Sequence, residues 1–396
     1  MQVSKRIQNL QASPIRNLVP LADAAKEKGT KVYHLNIGQP DIETPSVFFD
    51  AIKTFDKNIL AYANSRGDKD LIGSIIKYYK RYNLDFNLEN IVITNGGSEA
   101  ISLTLTAITD YGDEIIIPEP YYTNYNGFAT PCGVNIKSIT TKAENGFKLP
   151  DVSEWEKLIT DKTKAILISN PCNPTGSNLD EREIEIIKEL AFKYNLYVIC
   201  DEVYREFIYD GDEFRSVATI KELQDRVIII DSISKRFSAC GARIGNIAAF
   251  NVELINSIMK LCQARLCVPT IEQLGARALY ELPSNYFDFV LVEYKERRDI
   301  LFEHLMKIEG IKCVKPRGAF YLMADLPVED ATDFVKFLLT DFSDNGETVM
   351  MTPTEKFYST KGVGKNQVRL AYILNKTDLI RSMEILKKGL ESYKNR

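Results

Sequence analysis

The sequence predicts an α/β fold, with a large domain built on a mainly parallel central sheet and a smaller α+β domain beside it. Three observations predict this. Six short, nearly continuous apolar runs recur through the middle of the chain, helix-period segments lie between several of them, and the pattern changes character from Asn285 onward. Strands that are apolar along their whole length suit a sheet covered on both faces, the usual setting of parallel strands.

In order, the strand candidates are NIVIT (90–94), EIIIP (114–118), KAILIS (164–169), LYVIC (196–200), RVIII (226–230) and NIAAF (246–250), all rich in β-branched residues. SEAISLTLTAI (98–108) and EREIEIIKELAFKYN (181–195) return apolar residues every three or four positions, the helical period. A long helical pattern at 285–308 leads into a second unit. Its strands are GAFYLMADL (318–326) and NQVRLAYIL (366–374), and its helices fall near 331–342 and 377–393. With the N-terminal segment packed on that unit, the expected division is a large domain at 46–295 and a small domain made of 1–45 and 296–396.

The chain has 396 residues, 45% hydrophobic and 26% charged, which is ordinary globular composition and enough for two domains. A net charge of −4 gives no basic field for nucleic acid or an anionic membrane. The first residues, MQVSKRIQNLQASPIRNLVPLADAAKEKG, carry charges throughout and lack the apolar core of a signal peptide. No apolar run approaches the ~18 residues of a membrane span. Seven cysteines without a CxxC pair point to a reducing compartment, hence the cytoplasm. Two distant histidines, His34 and His304, argue against zinc or histidine-assisted nucleophiles, so no metal is expected. The chemistry must come from other groups or from a cofactor.

In an open parallel sheet, ligands bind beyond the carboxyl ends of the strands. NGGSEA follows the first run. It is either a turn with Ser98 as helix N-cap or an anion site of free N–H groups at a helix start. The second run leads into PEPYYTNY and the third into NPCNPTG, whose two Asn-Pro pairs commit it to a tight turn. Asp201, at the end of the fourth, is either a turn cap or a carboxylate on a pocket floor, where it needs a cationic partner. Tyr204 is core aromatic or a phenol directed at the same pocket. The fifth run opens into DSISKRFSACGARIG. Lys235 is a surface lysine or, held among serines at a strand end, an amine of lowered pKa able to attach a carbonyl compound. Arg243, with glycines on both sides, suits a phosphate. A phosphate anchor, a carboxylate for a ring nitrogen and an amine for an aldehyde together match pyridoxal phosphate.

These stretches, with LNIGQPDIETP, PRGAFY and VRLAY, give the chain an end-to-end resemblance to class I/II aminotransferases, pyridoxal-phosphate enzymes of fold type I. NPxNPTG, DEVY, SxSK and GxRxG in that order carry most of the specificity. The resemblance implies Lys235 as the cofactor-attaching lysine and proton shuttle, and Asp201 as the partner of the pyridine nitrogen. It places Tyr204 and Asn173 on the phenolic oxygen, Tyr122 on the ring face, and Gly97, Ser98, Ser232 and Arg243 on the phosphate. Tyr62 reaches that phosphate from the neighbouring subunit of a homodimer. Arg369 pairs with the substrate α-carboxylate, helped by the backbone near Gly38. Amino acids and 2-oxo acids are the implied substrates, exchanged in two half-reactions at one site with ping-pong kinetics.

C–S lyases share this apparatus, so the reaction is not fixed by the cofactor residues alone. Aspartate or glutamate is the expected donor and 2-oxoglutarate the acceptor, with neutral or aromatic donors as the alternative. The lysine that one subgroup of dicarboxylate-specific members carries in the GG loop is Ser98 here. That leaves Arg16, and Arg265 toward a neighbouring subunit, as candidate cations for a side-chain carboxylate.

Overall fold

The computed structural model describes residues 1–8, 10 and 13–396. A short strand, β1 (Lys31–His34), precedes a seven-stranded sheet made of β2 (Ile91–Thr94), β3 (Glu114–Glu119), β4 (Asn135–Thr140), β5 (Thr163–Ser169), β6 (Tyr197–Asp201), β7 (Val227–Ser232) and β8 (Gly245–Ala248). The order across the sheet is β2-β8-β7-β6-β5-β3-β4. β8 runs antiparallel to both neighbours, and the other pairs are parallel.

All six expected strands are present. The edge strand β4, NIKSIT, escaped the sequence reading because only Ile139 in it is fully buried. An edge strand half open to water does not carry a continuous apolar run.

Successive residues of the central strands serve two cores. Ile116, Ile166, Val198 and Ile229 pack with Trp155 and Leu190 on one face. Ile115, Leu167, Ile199 and Ile230 pack on the other against Ile101 and Leu105 of the helix Gly96–Ile108. Each such side chain is under 4% exposed, and full burial of one is worth about 1.5–3 kcal/mol. The helix Glu181–Lys193 starts where it does because Asp180 and Glu183 cap each other's backbone reciprocally.

A third core joins Tyr33 and Leu35 to Leu301, Phe320, Phe334, Leu370 and Leu386. Around it lie β9 (Lys312–Cys313), β10 (Tyr321–Asp325), β11 (Glu347–Met350), β12 (Thr352–Pro353) and β13 (Gln367–Ala371). β12-β13-β10-β9 form an antiparallel sheet, and β1 pairs in parallel with β11. Tyr204 and Phe207, which follow β6, belong to this core as well, so the third core continues under the end of the large sheet. Among the described residues, no helix is long and apolar enough to cross a membrane.

Candidate active site

A cleft of about 550 Å³ opens along the carboxyl edge of the large sheet, in the size range of small-ligand sites. Of the twelve residues that the resemblance assigns to the cofactor and the substrate α-carboxylate, eleven line it: Gly38, Gly97, Ser98, Tyr122, Asn173, Asp201, Tyr204, Ser232, Lys235, Arg243 and Arg369. Tyr62 does not. It is 79% exposed and lies in a separate surface groove with Ile59, Arg66 and Thr270.

One end of the cleft is built for an anion. The helix Gly96–Ile108 begins there with no side-chain cap at Asn95. The side chain that reaches back is Glu99, which accepts from the Asn95 N–H at 2.6 Å. Ser98 is therefore not the N-cap; it sits in the first turn, on the cleft wall. Arg243 has φ 56° and donates to the carbonyls of Cys240 at 3.1 Å and Asn95 at 3.3 Å. A guanidinium beside a helix N-terminus is a ready anion cradle. Of the two glycines near Arg243 only one is required. A Cβ on Gly245 would lie 2.7 Å from the Asp231 carbonyl, whereas one on Gly241 would meet nothing within 4 Å.

Lys235 sits on a single helical turn, Ile233–Arg236, that starts as β7 ends. Ser232 caps it, accepting from the Ser234 N–H at 3.1 Å. The lysine Nζ donates to the Gly38 carbonyl at 2.7 Å.

Asp201, 7% exposed, ends β6 at the wall of the cleft. It makes no ion pair among the described residues. Its strong donor is the phenol of Tyr125, 2.8 Å from Oδ2, with the Val203 N–H at 3.5 Å from Oδ1. Burial pushes its carboxyl up to about 6, and the Tyr125 hydrogen bond pulls against that rise.

At the other end Arg369, 1% exposed, donates to Asn173 Oδ1 at 2.9 Å and to the Asn36 carbonyl at 2.7 Å. Its guanidinium lies 4.4 Å from the centre of the Tyr321 ring. Burial pulls its pKa below the usual value, and no carboxylate pairs with it among the described residues. Tyr321 Oη is 2.8 Å from Tyr204 Oη, and a Cβ on Gly38 would fall 1.7 Å from that same Tyr321 hydroxyl oxygen. Tyr204 is thus both core and cleft. Burial pushes the Tyr122 phenol up to about 12, and it accepts from Asn124 Nδ2 at 2.7 Å.

Tyr125, Tyr321 and Asn36 were not found from the sequence. Only the clustering of tyrosines in YYTNY signalled the first. Of the two candidate cations, Arg16 lines the cleft and forms no ion pair among the described residues. Arg265 is pinned elsewhere in this subunit, 2.9 Å from Glu99 Oε2 and 3.0 Å from the Ser65 carbonyl.

The family model for aminotransferase class I and II matches residues 30–381. The aspartate aminotransferase of Bacillus subtilis is 30% identical over 99% of this chain and 100% of its own length. The (5-formylfuran-3-yl)methyl phosphate transaminase of Methanocaldococcus jannaschii is 32% identical over 99% and 98%. Among solved structures, the alanine aminotransferase of Pyrococcus furiosus superposes with a TM-score of 0.90 at 30% identity, covering 99% of this chain and 100% of that one. That family is pyridoxal-phosphate-dependent, and the end-to-end match together with a cleft at the expected strand ends leads to one conclusion: the chain belongs to the class I and II aminotransferases.

Proposed function

We propose that this cleft binds pyridoxal phosphate, that aspartate or glutamate is the amino donor with 2-oxoglutarate the acceptor, and that the working unit is a homodimer. A pair of unbalanced buried charges carries the reading. Among the described residues, Asp201 faces the cleft with only a phenol and an amide as donors, and Arg369 faces it with only oxygens of amides as acceptors. A buried charge left without its opposite costs several kcal/mol. A ring N–H⁺ offsets the first and a substrate carboxylate the second.

Pyridoxal phosphate, when bound, supplies an aldehyde that condenses with amines and a protonated ring that draws electrons from the substrate Cα. Asp201 would hold the proton on the ring nitrogen. Gly97, Ser98, Ser232 and Arg243 would hold the phosphate, Tyr204 and Asn173 the phenolic oxygen, and Tyr122 would cover the ring face. Lys235 Nζ would be the amine that holds the aldehyde and, when free, the general base for the Cα proton. Arg369 orients the α-carboxylate through its planar fork, a geometry lysine lacks. In this reading residues 46–295 carry the cofactor, while 1–45 and 296–396 bring Gly38 and Arg369 to the substrate.

Borohydride reduction of the pyridoxal-phosphate-loaded protein tests the assignment of Lys235. The expected result is permanent label on Lys235 in the wild type. Lys235→Ala is expected to fold and take up the cofactor noncovalently, with no label and no turnover. Label elsewhere, or an active alanine variant, overturns it. Formation of a 2-oxo acid, against release of ammonia or sulfide, separates transamination from lyase activity.

For the donor, Arg16 at the cleft mouth supports a dicarboxylate. Ile15, Ile37, Ile101 and Phe128 line the same cleft, which favours neutral or aromatic donors as the second reading. Comparing kcat/KM for aspartate, alanine and phenylalanine decides between them. Ile59, Leu60 and Tyr62, 76%, 61% and 79% exposed, form a run of bare apolar surface that supports a symmetric partner.

A further inference from the structure

Among the buried charges with no part in the chemistry above, four lie directly beside cleft residues in sequence. Glu202, Arg205, Asp231 and Arg236 are each at most 1% exposed, and each is the sequence neighbour of a cleft residue: Asp201, Tyr204, Ser232 and Lys235. They lie on the far side of the sheet from the cleft. Asp201 continues the row of Ile199, whereas Asp231 continues the row of Ile229, which belongs to the opposite core.

The four form one chain of ion pairs. Arg205 pairs with Glu202 inside the turn after β6 and approaches Asp231 at 3.7 Å. Asp231 pairs in turn with Arg236, just past Lys235. Glu202 also accepts from the Ser216 hydroxyl at 2.6 Å, and Asp231 from the Ser232 N–H at 2.7 Å. Aromatic rings close the compartment. The Arg205 guanidinium is 4.8 Å from the Tyr79 ring and 5.0 Å from Tyr82, and that of Arg236 is 4.6 Å from Tyr78.

Such a cluster is a poor way to gain stability, since well-packed apolar residues do as well or better. Nε and Nη1 of both arginines even lack acceptors among the described residues. What the network does have is position. The hydrogen-bond ladder between β6 and β7 stops at the Glu202 N–H and the Ile230 carbonyl. Beyond that point no backbone bond ties the turn bearing Tyr204 to the turn bearing Lys235 among the described residues. The pairs Glu202–Arg205, Arg205–Asp231 and Asp231–Arg236 span that gap.

We propose that Glu202, Arg205, Asp231 and Arg236 are a positioning network, an ionic staple beneath the sheet that fixes Asp201 and Tyr204 relative to Lys235. It rests on the reading of Asp201 and Lys235 as cofactor-binding groups, which borohydride labelling of the wild type checks separately. None of the four touches the cleft, so they act through their neighbours. Asp231 also contributes directly, being among the groups that raise the Asp201 carboxyl.

The test compares Asp231→Asn, Arg236→Met, their double variant and Arg236→Lys in the pyridoxal-phosphate-loaded enzyme. Four readouts are taken: thermal midpoint, kcat, KM for the amino donor, and the pH midpoint of the bound cofactor's absorbance change. The first two variants leave one buried charge unbalanced and are expected to melt lower, whereas the charge-balanced double recovers most of that loss. All three lack the staple, so kcat falls about 10-fold or more in each, as small displacements of reacting groups cost up to ~100-fold. The absorbance midpoint moves in each of them, and KM stays within about 2-fold, because Arg369 is held elsewhere. Arg236→Lys keeps the ion pair and retains both kcat and midpoint. A double variant with wild-type kcat and absorbance midpoint overturns the proposal and leaves the cluster as charge balance alone. If the single variants do not accumulate, the double and Arg236→Lys give the same two readouts.

Discussion

Replacing Tyr125 with phenylalanine removes one hydroxyl, the donor 2.8 Å from Asp201 Oδ2. The ring stays, and Tyr125 is 1% exposed, so the packing is preserved. Burial holds the Asp201 carboxyl up near 6 while this bond pulls it down. A hydrogen bond to a charged acceptor is worth about 1.5–3 kcal/mol and a pKa unit about 1.4, so in Tyr125→Phe the carboxyl ionises about 1–2 units higher. Only the ionised form holds a proton on a ring nitrogen. Affinity of the cofactor-free protein for pyridoxal phosphate therefore drops as pH falls through the Asp201 pKa, and in the variant that drop begins at higher pH. Equilibrium dialysis with pyridoxal phosphate from about pH 5 to about pH 9 measures it, and the cofactor's own ionisations cancel in the ratio of the two proteins. The ratio is expected to approach one at the alkaline end and to reach about 10- to 100-fold at the acid end. A ratio independent of pH would refute the link between Tyr125 and the charge on Asp201.

Arg369→Lys keeps the charge but loses the fork, and KM for the amino donor is expected to rise about 10- to 100-fold with a smaller change in cofactor affinity. An unchanged KM removes Arg369 from the substrate. Arg16→Ala is expected to lower kcat/KM for aspartate about 2- to 5-fold, the size of an exposed ion pair, and to leave alanine unaffected; equal losses for both amino acids count against a side-chain role. For the shared site, Tyr62→Phe and Lys235→Ala homodimers, each impaired alone, are mixed under subunit exchange. Heterodimers then regain one wild-type-like site, and absence of any recovery contradicts a phosphate contact across the boundary.

The strands of the large sheet were legible because burial on both faces forces uninterrupted apolar runs such as VIII in β7 and AILI in β5. β4 was not, being half open to water, and neither were β1 and β11, four-residue strands whose pairing partners lie far apart in the chain. The same contrast holds in the cleft. Lys235, Asp201 and Arg243 stand out because polar residues collect where apolar strands end. Tyr125 and Tyr321 do not, since what defines them is a partner elsewhere: Asp201 for one, Tyr204 and Arg369 for the other. The two glycines flanking Arg243 in sequence show a subtler failure, because spacing cannot tell Gly245, wedged against the Asp231 carbonyl, from Gly241, which faces open space. Arg265 likewise looked available until its distant partner Glu99 was known.

The one reversed strand, β8, sets a limit on how this chain can be altered. Because it runs against its neighbours, its beginning and not its end reaches the edge where β2 and β7 finish, with Gly245 opposite both Thr94 and Ser232. Lys235 and Arg243 are therefore the two arms of one closed loop, pinned at its base by the Ile233 N–H on the Ile244 carbonyl at 3.2 Å. Its length works as a ruler between an amine and an anion cradle, and Ser238 and Arg243, both at positive φ, show how tightly it is drawn. Gaining or losing one residue between them would shift one arm against the other. The turn at Gly146, whose Cβ position meets nothing within 4 Å, joins no such pair and is the better place to lengthen the chain, to carry a tag or to graft a second module.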